Sequence, residues 1–122
     1  MGAYLSSPNT TKNPEDGEGV QVRYGVSDMQ GWRMNMEDAH ITKPDLVAGV
    51  SLFGIFDGHG GKEVAAFCSE HMPKVLTQDL KVSSSNGHSA LPKAFHRMDE
   101  MLRDERFRGE LTKLSGKDKG GD

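Results

Sequence analysis

The chain has 122 residues, 34% hydrophobic and 27% charged, with a formal net charge of −3. That is enough for one hydrophobic core and too little for two. The acidic balance, with basic and acidic residues interleaved, argues against a nucleic-acid partner, and a single cysteine, Cys68, excludes an internal disulfide or a cysteine-built zinc site.

Residues 1–19 hold little to bury after Leu5, and their Ser, Asn, Thr, Pro, Asp, Glu and Gly content predicts a flexible lead-in. The opening "MGAYLS" places Gly2 and Ser6 in the acceptor pattern for N-myristoylation, without a neighbouring cysteine or basic cluster as a second anchor. No apolar run approaches the length that crosses a bilayer, and the start lacks a secretory pattern, so the expected compartment is cytoplasmic or nuclear.

From Val20 the residues Val20, Val22, Tyr24 and Val26 alternate with more polar neighbours, which predicts a half-buried strand. After a turn signal at Gly31, a second extended segment carries Trp32, Met34, Met36 and Ala39 on one side and Arg33, Asn35, Glu37 and Asp38 on the other. "KPD" reads as a break. "GVSLFGIF" is a short, nearly unbroken apolar run, expected to be a strand buried on both faces and ending at Asp57.

Val64, Phe67, Cys68, Met72, Val75, Leu76 and Leu80 recur at helical steps, predicting a helix over 62–80 with a kink or break at Pro73. Cys68 reads as a buried apolar residue on it. "SSSNGHS" is a loop, and Ser89 is a plausible cap for a second helix with Leu91, Ala94, Phe95, Met98, Met101 and Leu102 on one face. Its methionines read as core filling. The Gly-rich charged end, 109–122, reads as a disordered tail.

The corner "GIFDGHGGKE" is where chemistry concentrates. It fails as a P-loop, because Phe56 stands where the first glycine is needed and Glu63 where the hydroxyl is needed. It fails as a dinucleotide loop at Glu63 and as an EF-hand at His59 and Gly61, and the five histidines lack zinc-protease spacing. Asp57 then either caps its own turn or ligates a hard cation. If the two acid-bearing strands are neighbours, Glu37, Asp38 and Asp57 share one rim, where like charges call for a cation. Arg33 then either pairs with Glu37 or Asp38 or grips a phosphoryl group beside the metal.

"RYGVSDMQGWRMNMEDAH" together with "FGIFDGHGGKEVAAFC" resembles the N-terminal part of metal-dependent Ser/Thr protein phosphatases of the 2C type, the PPM family, with a flavour closest to plant or algal members. The resemblance implies an α+β fold, the N-terminal portion of an antiparallel β-sandwich flanked by helices, incomplete over residues 20–108. It implies two Mg2+ or Mn2+ ions held by Glu37, Asp57 and the Gly58 carbonyl, with Asp57 bridging. Asp38 would bond metal-bound water, Arg33 would hold the phosphate and His59 would act as general acid. The implied activity is hydrolysis of phosphoserine and phosphothreonine in protein substrates by a monomer, with weak membrane association if Gly2 is acylated. The alternative expectation is a truncated, catalytically incomplete product that binds phosphoproteins or regulates.

Overall fold

A computed structural model describes residues 4–58 and 61–116. The chain divides into two compact units, Met1–Met36 and Glu37–Asp122.

In the first unit β1 (Tyr4–Asn9) pairs antiparallel with β4 (Gly31–Arg33), Tyr4 opposite Arg33 and Asn9 opposite Gly31. β2 (Glu15–Glu18) and β3 (Arg23–Val26) form a hairpin in which Gly17 faces Tyr24. The tyrosine ring lies over that glycine: a Cβ there would stand 2.7 Å from the phenolic oxygen. The flexible lead-in expected for 1–19 is therefore replaced, over 4–18, by two strands. Apolar content signals side-chain burial, whereas these strands are held by backbone pairing and by links such as Asn13 Nδ2 donating to Asp28 Oδ1 at 2.8 Å. Val20, expected inside a strand, sits in the hairpin turn and is 88% exposed. The second extended segment is also interrupted: it ends at Arg33, bends at Met34 and Asn35, and resumes as a strand at Asp38. Gln30 braces that bend by donating from Nε2 to the carbonyls of Arg33 (2.7 Å) and Met34 (3.0 Å).

The second unit opens with a hairpin of β5 (Asp38–Val47) and β6 (Val50–Asp57), joined at Ala48–Gly49 with Gly49 at φ 77°. That left-handed conformation favours glycine. The break expected at "KPD" is instead a register shift between Lys43 and Val47, since Pro44 has no N–H for the ladder. β6 alternates between exposed and half-buried along its whole length, so it is not buried on both faces as expected. Leu52 and Phe56 pack against the core, while Phe53 and Ile55 remain 45% and 68% exposed.

Helix α1 (Glu63–Lys74) contains Pro73 and runs on as a π-helical turn, Val75–Asp79. The expected kink takes the form of this wider turn: the Leu80 N–H reaches back to the Val75 carbonyl at 3.0 Å, and the Thr77 hydroxyl donates to the Pro73 carbonyl at 3.0 Å. α2 (Gly87–Leu102) starts two residues before the expected cap Ser89, with Asn86 as its cap, because the Asn86 carbonyl already accepts from Ser89 and Ala90. A 3-10 turn (Glu105–Phe107) then leads into α3 (Arg108–Ser115), where a disordered tail was expected from 109. Leu111 and Leu114 dock on the core, and Glu110 accepts from His71 of α1 at 2.7 Å. Residues 117–122 lie outside the described part. Phe67, fully buried, anchors this core with Ile41, Met72, Leu76, Ala94, Met98 and Met101. Burying a phenylalanine of this kind contributes roughly 1.5–3 kcal/mol. The pairing throughout is antiparallel among the described residues, and the class is α+β as expected.

Candidate functional site

Asp57 is the last residue of β6 and Asp38 the first of β5, and the register sets them directly opposite one another. Directly opposed residues in an antiparallel pair project from the same face with Cβ atoms about 5 Å apart. Both aspartates are exposed, on the face that also carries Ile55 and Phe53. Two carboxylates so placed repel unless a cation or proton lies between them.

The ladder extends one step further through backbone: the Gly58 N–H donates to the Glu37 carbonyl at 3.1 Å. This contact explains the glycine. A Cβ at position 58 would stand 2.5 Å from the Glu37 carbonyl oxygen, 3.1 Å from the Gly61 oxygen and 3.3 Å from the Ala65 Cβ. The close partner of Gly58 is thus the strand that brings in Glu37. Gly61 turns the chain at φ 133°, a value L residues rarely adopt, and α1 begins two residues later. Where β6 meets α1 a cavity of about 310 Å³ is lined by Ile55, Phe56, Asp57, Gly58, Val64, Ala65 and Cys68. Burial pushes the Cys68 thiol up, and the nearby Asp99 charge pushes it further, so the sulfur lining this cavity is a neutral thiol and no nucleophile.

The structure thus brings together Asp38 and Asp57 through side-chain register, and Glu37 and Gly58 through backbone. Arg33 lies exposed on β4 in the first unit, and the segment bends after it at Met34 and Asn35, while Glu37 opens the second unit. His59 lies outside the described residues, as does Gly2. Among the described residues no three His, Cys, Asp or Glu side chains converge closely enough to hold a metal ion. The rim of three acids is, in this chain, a pair of aspartates with Glu37 one step away. Their all-oxygen donor chemistry nonetheless suits a hard cation such as Mg2+ or Mn2+. Sequence reasoning missed Ala65, whose only signal was its place three residues after "GGK". No helix among the described residues is long and apolar enough to cross a membrane.

The family described as Protein phosphatase 2C matches residues 22–119. The chain is 46% identical over 117 residues to Probable protein phosphatase 2C 60 of Arabidopsis thaliana, an alignment covering 96% of this chain and 33% of the relative. It is 46% identical to Probable protein phosphatase 2C 58 of Oryza sativa subsp. japonica (96% and 32%) and 43% identical to Probable protein phosphatase 2C 2 of Paramecium tetraurelia (97% and 39%). The chain therefore spans about a third of the length of the curated relatives it matches. Plants and a ciliate supply these relatives, in keeping with the plant side of the expected flavour.

Proposed function

Because this chain belongs to the protein phosphatase 2C family, we propose that it acts in the metal-dependent hydrolysis of phosphoserine and phosphothreonine in proteins. The observation that carries the reading is the in-register pair Asp38 and Asp57 at the open end of the β5–β6 hairpin. Asp57, Glu37 and the Gly58 carbonyl are the groups that would hold Mg2+ or Mn2+. When bound, two such ions supply a water acidic enough to be hydroxide near neutral pH. Asp38 orients the attacking water by accepting its hydrogen bond. Arg33 presents a planar fork that grips two phosphoryl oxygens at once. His59 hands a proton to the departing serine or threonine oxygen, so that the leaving group departs neutral. The reading includes a monomer working in the cytoplasm or nucleus, with Gly2 as a site of N-terminal acylation.

A second reading, a phosphoprotein-binding module without turnover, is favoured by one observation: only two carboxylates share the face among the described residues. One assay separates the two. A phosphothreonine peptide is incubated with the chain and Mn2+, and phosphate release is followed beside peptide binding. Release that Asp57→Asn abolishes supports the phosphatase. Binding that Arg33→Ala abolishes, with no release, supports the module, and neither effect overturns both readings.

A further inference from the structure

Gly58 is gripped on three sides. Its N–H is bonded to the Glu37 carbonyl at 3.1 Å, and the side where a Cβ would stand is filled by that same oxygen, by the Gly61 carbonyl and by Ala65. Glu37 and Gly61 approach through backbone carbonyl oxygens. Ala65 approaches through a side chain. It is the third residue of α1, 4% exposed, in the first turn that the Ala66 N–H closes onto the Lys62 carbonyl at 3.1 Å. Its methyl group therefore fixes how closely α1 sits on the corner.

We infer that Ala65 is a positioning residue: the spacer whose single methyl lets Gly58 reach Glu37, and so sets the separation between the Glu37 and Asp57 carboxylates. The Glu37–Gly58 bond is the last rung of the ladder that places Asp38 opposite Asp57. A larger side chain at 65 has the Gly58 backbone on one side and, on another, the cavity of about 310 Å³ that Ala65 lines together with Val64 and Cys68. A β-branched side chain sends its two methyls in different directions, so one enters the cavity while the other meets the Gly58 backbone, where close packing does not absorb it without a shift. The consequence for metal binding rests on the reading proposed above; the consequence for the Glu37–Gly58 bond does not.

The test uses the full 15N-labelled chain. In Ala65→Val the Gly58 amide proton is expected to move upfield and to exchange with solvent at least tenfold faster. Titrated Mn2+ is expected to broaden the Asp38 and Gly58 amides only at concentrations at least tenfold above wild type. Ala65→Gly lowers stability by removing a good helix former but adds no volume, so it should leave the Gly58 amide in place. Ala65→Ser, one heavy atom larger, gives the valine effect in smaller measure where valine is not tolerated, and the Met98 and Met101 methyl signals report that each variant is folded. An unmoved Gly58 amide in the enlarged variants overturns the inference. So does an amide that moves equally in the glycine variant, since Ala65 would then be a core filler only. A Gly58 amide that responds as expected in a chain whose wild type shows no Mn2+ broadening upholds the spacer and overturns the metal reading alone.

Discussion

Asp38 and Asp57 stand opposite each other across β5 and β6, two like charges in register at one end of a hairpin. Directly opposed like charges cost a sheet roughly 0.2–1 kcal/mol. Asp38→Asn is therefore expected to raise the melting temperature of the metal-free chain by a small amount. The same substitution should weaken Mn2+ binding at least tenfold by calorimetry. A variant that is neither more stable nor weaker toward the ion would show that the pair is already neutralised by other groups.

Gly58 is constrained by space and not by a left-handed dihedral. Gly58→Ala places a methyl against the Glu37 carbonyl, and a destabilisation of about 1–3 kcal/mol in urea unfolding is expected from overpacking. An effect below about 0.5 kcal/mol, the level of an ordinary surface substitution, would mean that the corner relaxes freely.

Phe67 has no exposed surface, and its ring lies 4.2 Å from the His71 ring and 5.6 Å from that of Phe107, centroid to centroid. Phe67→Ala should cost about 3–5 kcal/mol and loosen α3 as well as α1, because Phe107 leads directly into α3. Hydrogen exchange over residues 108–115 measures the second effect. Unchanged protection there would place the docking of α3 on Leu111, Leu114 and Glu110 alone.

Asp104 caps the 3-10 turn. Its carboxylate accepts from the Arg106 guanidinium, at 2.7 Å from Nη2, and from the Arg106 backbone N–H at 2.9 Å. These bonds hold the carboxyl down to about 2. A group depressed below its unfolded value, about 3.9, contributes stability that is present above that pH and is lost as pH falls toward 2. The Asp104 carboxyl carbon should titrate near 2 by NMR, with the start of α3 fraying over pH 4 to 2. Titration near 3.9 would show that the Arg106 contact is not populated.

Cys68 is 9% exposed, and its thiol is pushed up by burial and by Asp99. It should react with a disulfide reagent orders of magnitude more slowly in the native chain than in urea. Equal rates would mean that the cavity beside Asp57 admits both the reagent and hydroxide.

Period and composition were enough to read the two long helices, the hairpin strand that ends at Asp57 and the buried character of Phe67, Cys68 and Met98, because each depends on spacing along one element. The paired motifs were specific enough to identify the family. The two acid-bearing segments are neighbours as expected, with Asp38 opposite Asp57, but other inferences about what lies across from a residue misled. β6 is apolar throughout, yet only one of its faces meets helices, so Phe53 and Ile55 stay in contact with water. Residues 4–18 hold almost nothing to bury, yet their backbone finds partners in β4 and β3. Alternation through residues 32–39 suggested one strand, but Gln30 holds a bend after Arg33. The sequence by itself thus determined the family, the long elements and the oxygen-rich chemistry of the corner, since residue type and local period carry that information. Only tertiary structure decided that Asp38, and not Glu37, faces Asp57, and that Gly58 is glycine because the Glu37 carbonyl and Ala65 occupy the space of a side chain: both depend on strand register and on the approach of a helix.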